Sequence, residues 1–328
     1  MIGFIIRRLL YGVITLFIIS VASFLMVQAP PGNALTAEIQ QLQSRGGTVP
    51  QEQITALEAR YGLNDSFVTQ YWKWAGGFAR GDLGYSFSQK EEVADLISGR
   101  LGYSIMLSFG ALMIAWLIAI PVGVYSATHR YSLPDNLVTS VQFIGVAIPE
   151  FLLALIILVI ASRWLNLDVG GLFSRDYANA PWSFGKFTDL LSHAWVPMVI
   201  IAAGGTAGLT RVMRANLLDV LNQQYIQTAR AKGVIERRVI WKHAVRNAFH
   251  PLVMALGGVL PALIGGEAIV SVVLNLPTIG PLFLTSLTEQ DLYLSASLLV
   301  VLSGLLIVGN LLADLALGWL DPRVRAVD

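Results

Sequence analysis

Few side chains in this sequence could do chemistry, and their placement is unusual. Two carboxylates, Glu150 and Glu267, fall inside long apolar runs. A charge at bilayer depth costs about 2.5–3.5 kcal/mol on insertion scales, so such groups must face protein or water. Two roles fit. The acids could line a solute path, favouring cationic or zwitterionic solutes or relaying protons, or they could serve as interhelical hydrogen-bond acceptors. Asp314, near the end of the last apolar run, reads as structural. Nothing else resembles a reaction centre. Cysteine is absent, and the four histidines (His129, His193, His243 and His250) are scattered without adjacent carboxylates, so no metal set forms. There is no H-E-x-x-H and no G-x-S-x-G. A phosphate loop is missing too: Lys232-Gly233 is in reversed order, and Gly185-Lys186 lacks the upstream glycine and the following Ser or Thr. No catalytic residue and no cofactor are expected. A chain of this kind that moved a solute uphill would need an ion gradient or a separate ATPase docked on it.

The elements that hold these residues are apolar. Hydrophobic residues make up 55% of the 328 and charged residues only 13%, against about 25% charged in soluble domains. The expected class is an all-α integral membrane protein with six transmembrane helices, since about 20 apolar residues cross ~30 Å of hydrocarbon. The spans are read at Leu9 to Val27, Ser104 to Tyr125 (kinked by Pro121), Leu137 to Ser162 (containing Pro149-Glu150), Trp195 to Leu209, Pro251 to Val273 and Leu292 to Leu317. Pro149, Pro197, Pro261 and Pro277 suit either gating kinks or plain architecture. The first run exceeds a signal-peptide core and reads as an uncleaved anchor. Residues 30–100 form a long polar loop in which two short helices are expected. One starts at Thr48-Val49-Pro50 and ends at Gly62; the other has a capping box, Ser88 with Glu91, and ends near Gly99. Trp72 and Trp74 fit an interfacial belt or packing in an extramembrane layer.

A second feature is the basic segment Gln224 to His250, lying between two apolar runs. From Arg211 to Arg246 there are eight Lys or Arg against two acids, while residues 30–100 hold six against eight. The positive-inside bias puts residues 211–250 and both termini in the cytoplasm. Leu217, Leu221, Tyr225 and Thr228 recur at helical spacing, as do Ile235, Val239 and Lys242, with Gly233 separating the two patterns. Such a helix could take a push from a docked partner or lie in the headgroups with its basic face on anionic lipid. Its place between spans suits lipid and protein contact, not nucleic acid.

Gln227-Thr228-Ala229-x-x-x-Gly233 resembles the E-A-A-x-x-x-G cytoplasmic motif of permease subunits of binding-protein-dependent ABC importers. The longer string TARAKG…ERRV…KHAVRNA…P is similar to the dipeptide/oligopeptide/nickel subfamily. So are Arg7-Arg8-Leu9-Leu10, Arg60-Tyr61-Gly62-Leu63, Arg80-Gly81-Asp82-Leu83-Gly84, Ile120-Pro121-Val122-Gly123-Val124, Pro277-x-Ile279-Gly280 and Asp321-Pro322-Arg323-Val324-Arg325. The order resembles a B-type permease subunit. That resemblance implies a type I (MetI-like) fold, with an anchor span at 1–29, an extracytoplasmic loop region at 30–100 and a core at 101–318. The core carries the coupling loop 211–250, and a cytoplasmic tail follows at 319–328. It also implies that Tyr225, Thr228, Ala229, Ala231, Lys232 and Gly233 contact an ATPase subunit. The implied partners are a second permease, two ATPase subunits, which bind the ATP and magnesium, and an extracytoplasmic solute-binding protein, all at the cytoplasmic membrane. Two departures stand out: Gln227 replaces the motif's Glu, and Val234-Ile235 follows the glycine where a capping serine is usual. The subfamily is associated mostly with peptides, and also with nickel, glutathione and glycosides. The lack of Cys and of a His cluster argues against nickel. A proton-coupled secondary transporter using Glu150 and Glu267, and a membrane scaffold, are the readings from other classes.

Overall fold

The computed structural model describes residues 2–28, 65–165, 170–253 and 267–320. In chain order the helices are α1 (Ile2–Gln28), α2 (Phe67–Phe78), α3 (Val93–Thr128), α4 (Leu133–Ala147), α5 (Glu150–Ile160), α6 (Arg175–Ala178) and α7 (Phe184–Leu221). They continue as α8 (Gln224–Ala231), α9 (Glu236–Arg238), α10 (Val245–Ala248), α11 (Ile279–Thr288) and α12 (Leu292–Leu320). Single π-helical turns extend α5 (Ala161–Leu165) and join α9 to α10 (Val239–Ala244). One antiparallel bridge pairs β1 (Tyr85–Ser86) with β2 (Glu91–Glu92). Among the described residues α1, α3, α7 and α12 are long and apolar enough to span a membrane. A fifth span is added if α4 and the helix after it, bent by 98°, count as one. The expected crossing at Pro251 to Val273 runs through 254–266, and these residues, with Pro261, lie outside the described set. So do the expected helix from Thr48 to Gly62, the motif at Arg60 and the tail motif at Asp321.

Two compact units divide the described chain. One comprises residues 2–102 and 278–305. Its packing is aromatic: Phe24 of α1 meets Tyr71 and Trp74 of α2, with ring centroids 5.7 and 5.4 Å apart. Trp74 is 3% exposed and its indole donates to Ser297 of α12 at 3.2 Å, whereas Trp72 is 60% exposed. The two tryptophans thus divide between the packed and the outward reading, because helical positions two apart point to nearly opposite faces, about 160° from one another. Asp291, fully buried, ties the unit together. Its Oδ2 accepts from Ser86 Oγ (2.7 Å), Ser88 N (3.1 Å) and Ser88 Oγ (3.0 Å), while Oδ1 caps α12 by accepting from Leu294 N at 3.2 Å.

This bonding overturns the expected capping box. Ser88 is committed to Asp291, and Glu91 lies in the β-bridge opposite Ser86. The helix starts instead at Val93 and runs 36 residues straight through Gly99. Burial of Val93, Leu96 and Ile97 against Leu294 and Leu298 outweighs the ~1 kcal/mol cost of an interior glycine. The short helix and the second span are therefore one element.

The other unit holds residues 103–277 and 306–328. Glycines on its helices admit side chains at short range. An added Cβ on Gly110 would lie 2.7 Å from Met198 Cε, and one on Gly123 would lie 2.8 Å from Met213 Cβ. Helix α7 therefore packs closely on α3 at two levels. It is 38 residues long, well beyond the expected Trp195 to Leu209, and keeps Pro197 inside. Ser183 starts it as an N-cap, accepting from Lys186 N at 3.2 Å.

Asp291→Ala removes the acceptor for two hydroxyls and two backbone N–H groups at once. The expected loss is at least about 2 kcal/mol, seen as a lower thermal midpoint in detergent and faster proteolysis between residues 80 and 92.

Candidate functional site

Helix α8 owes its placement chiefly to one side chain. Helix α7 stops at Asn222, and Gln223 is extended (φ −70°, ψ 147°), so the chain turns before α8 begins. Ile226 then enters the core that also holds Leu217, Val239 and Ala244, and all four are fully buried. Ala229 and Val234 pack partly against the same cluster. The rest of α8 faces outward: Tyr225 is 42% exposed, and Thr228, Ala231, Lys232 and Gly233 are exposed. Asn247 Nδ2 donates to Tyr225 Oη at 2.6 Å, fixing that ring against the returning strand of chain.

The end of α8 is a Schellman motif. Val234 N bonds Ala229 O (3.2 Å) and Gly233 N bonds Arg230 O (2.9 Å). Gly233 supplies the required left-handed backbone, φ +75°, and a Cβ there would meet no atom within 4 Å. The constraint at Gly233 is conformational, not steric.

The expected periodicity needs correction here. Leu217, Leu221, Tyr225 and Thr228 do not form one buried face, because the chain turns between Leu221 and Gln224. The buried stripe is Leu217, Ile226 and half-buried Ala229. Past the turn, Ile235 starts α9 without a side-chain cap and is 77% exposed. An ion pair spans the turn instead. Arg230 Nη2 and Nε donate to Glu236 Oε1 and Oε2 at 2.6 and 3.1 Å. These hydrogen bonds, followed by the guanidinium's charge, hold the Glu236 carboxyl below its ordinary value.

Ten residues before α8, helix α7 is fastened by a second buried acid. Asp135 is 1% exposed. It accepts from Ser126 Oγ of α3, from Tyr131 N in the turn (2.9 Å) and from Arg214 Nη2 of α7 (2.9 Å). Three segments converge on one carboxylate.

The two acids singled out in the apolar runs have different settings. Glu150 lies at the break within the third apolar run. It is the first residue of α5, just past the bend at Pro149, where a helix N-terminus favours negative charge. Half-buried, it lies on Gly204 of α7, where an added Cβ would come within 3.0 Å of its Cδ. Glu267 is fully buried, and its Oε1 accepts from Ser104 Oγ of α3 (3.4 Å) and from Ser271 Oγ (3.0 Å). That arrangement is an interhelical hydrogen bond. An apolar cleft of about 520 Å³ lies between α3, α4 and α7, walled by Ile118, Val141, Ala203 and Thr206 among others, and neither acid lines it.

Ile226, Asp135 and Arg214 were missed in the sequence. Ile226 carried a signal, being the one large aliphatic residue in the octamer QYIQTARA. Asp135 and Arg214 are 79 residues apart, and nothing local links them. Ile226→Ala is expected to cost about 2–5 kcal/mol and to raise amide exchange across residues 224–231 before any span responds. The Arg230–Glu236 pair is exposed and adds only about 0.2–1 kcal/mol. Because the folded Glu236 pKa is depressed, that contribution is present above the unfolded value near 4.3 and disappears as pH falls through the folded one. Acidification from pH 6 to 3 should loosen residues 230–238 in hydrogen exchange, and Glu236→Gln should remove this local acid dependence.

Comparison with known proteins assigns the chain. Residues 119–326 match the model of the binding-protein-dependent transport system inner membrane component, and residues 1–108 match that family's N-terminal membrane-component model. The oligopeptide transport system permease protein AppB of Bacillus subtilis is 37% identical over 326 residues, covering 99% of this chain and 100% of its own length. OppB of Salmonella typhimurium is 32% identical over 327 residues, covering 99% of this chain and all of its own. A putative peptide permease of Brucella ovis is also 32% identical, over 99% of both chains. The chain belongs to the family of binding-protein-dependent transport system inner membrane components, and is a non-catalytic permease subunit of an ABC importer.

Proposed function

We propose that this permease carries di- or oligopeptides, and that the exposed face of α8 with its glycine end is where an ATPase subunit seats. The peptide assignment rests on the names of the relatives. The docking assignment rests on one observation: a polar, outward-facing helix held by a buried isoleucine and closed by a positive-φ glycine, in a basic segment between apolar runs. Tyr225, Thr228, Ala231, Lys232 and Gly233 would form the contact, with Ala229 at its inner edge. Such a short helix, packed on the end of 38-residue α7, can pass displacement into the spans.

The assembly we propose has six spans in this chain and both termini in the cytoplasm. A second, related permease completes the pathway. Two ATPase subunits bind below and a solute-binding protein delivers cargo above. ATP-driven closure of the ATPases would draw the two coupling helices together and open the cavity outward.

A valine at position 233 would have to adopt φ near +75°, a genuine outlier for a β-branched residue that costs about 1–2 kcal/mol. The Gly233→Val importer is expected to insert and retain its permease partner, yet lose most ATP-dependent uptake in proteoliposomes while its ATPase activity becomes uncoupled from transport. Full uptake in Gly233→Val and in a bulky Ala229 variant would sink the docking assignment. Uptake that is blocked by a protonophore but needs no ATP would replace it with the proton-coupled reading.

A further inference from the structure

The motif Arg80-Gly81-Asp82-Leu83-Gly84 takes no part in the proposed coupling, yet it builds a pocket of about 290 Å³ in the unit of residues 2–102 and 278–305. Trp74, Tyr85 and Tyr293 give its aromatic walls, and Asp82, Glu92 and Lys73 its charged groups. Its shape is enforced by glycine. Gly84 has φ +84°, and a Cβ there would lie 2.7 Å from the Tyr293 ring; one on Gly77 would lie 2.9 Å from Asp82 O. The loop is further set by Asp82 Oδ1, which accepts from Gly84 N at 3.0 Å. Trp74 is anchored from behind by its bond to Ser297.

The charges in this pocket do not cancel. Lys73 Nζ lies 2.5 Å from Asp65 Oδ2, so its charge is answered by a carboxylate that is not part of the lining. Two carboxylates among three aromatic rings remain. Carboxylates satisfy the donors of an ammonium group, and aromatic faces attract its charge. The volume admits one amino-terminal residue or one lysine side chain, not a folded segment. An anion would meet two like charges, and a purely apolar group would strip water from both acids with no compensation.

We propose that this pocket is a receptor for a primary alkylammonium group. Resting on the extracytoplasmic placement proposed above, it takes either the amino terminus of an arriving peptide or a lysine side chain of the docked solute-binding protein.

The direct test is calorimetric titration of butylammonium into the chain held with its partner subunits in nanodiscs, at constant ionic strength. The comparison is Asp82→Asn/Glu92→Gln, in which the asparagine keeps an acceptor for Gly84 N–H. Saturable binding weakened about tenfold or more in the double variant supports the pocket. Equal binding in both, or none in either with the complex assembled, overturns it. Two further arms identify the source of the ammonium. Loss of binding-protein docking in the variant, with butylammonium competing in the wild type, assigns a lysine of that protein. Unchanged docking with lost preference for free over N-acetylated peptides in uptake assigns the peptide's amino end. A chain that binds butylammonium but recruits no ATPase would refute the coupling assignment and leave the pocket standing.

Discussion

A carboxylate sealed from water governs the part of this protein that carries α8. Asp135 is tolerated only because Ser126, Tyr131 and Arg214 all direct donors at it. Removing any one would leave a buried charge under-satisfied, which costs far more than the pair contributes when intact. The end of α3, the turn after it and the lower part of α7 are therefore held to one geometry. Helix α8 inherits its position from that arrangement, because Ile226 packs in the same core as Leu217 on α7. Asp291 does similar work in the other unit, fixing the β-bridged loop to the start of α12.

This economy suits a subunit that does no chemistry. Its family places the hydrolysis in separate ATPase subunits. What the described residues supply is stiffness between α8 and the long helices. Long helices provide it along their axes, and buried polar anchors provide it across them. The close approaches at Gly110 and Gly123 add to this, since a residue without a side chain on α3 lets Met198 and Met213 of α7 seat directly on its backbone.

The bend at Pro149 shows how a membrane-embedded acid can be accommodated without a partner of opposite charge. Hydropathy sees one apolar run from Leu137 to Ser162, and the chain instead bends within it by 98°. A proline without an N–H starts α5, and Glu150 benefits from the helix end it begins. Glu267 is handled differently, by two serine hydroxyls. One residue type in an apolar run thus meets two solutions, and spacing alone does not choose between them.

Much of the architecture was legible because its signals are local or periodic. Apolar runs give α1, α7 and α12, and the break at Gly233 gives the end of α8, since a left-handed residue there needs glycine. Lengths and boundaries were less legible. The fusion of the expected helix at Ser88 with the second span depends on Asp291, over 200 residues away, taking Ser88 out of its capping role. The outward face of Thr228 depends on a turn at Asn222 that helical spacing does not record. So the sequence by itself determined the class, the apolar helices and the absence of a catalytic set, because composition and period carry those. Only the tertiary structure decided which polar groups are sealed together and which face water. Those outcomes are set by contacts between residues far apart in the chain, such as Asp135 with Arg214, whose pairing leaves no trace in spacing.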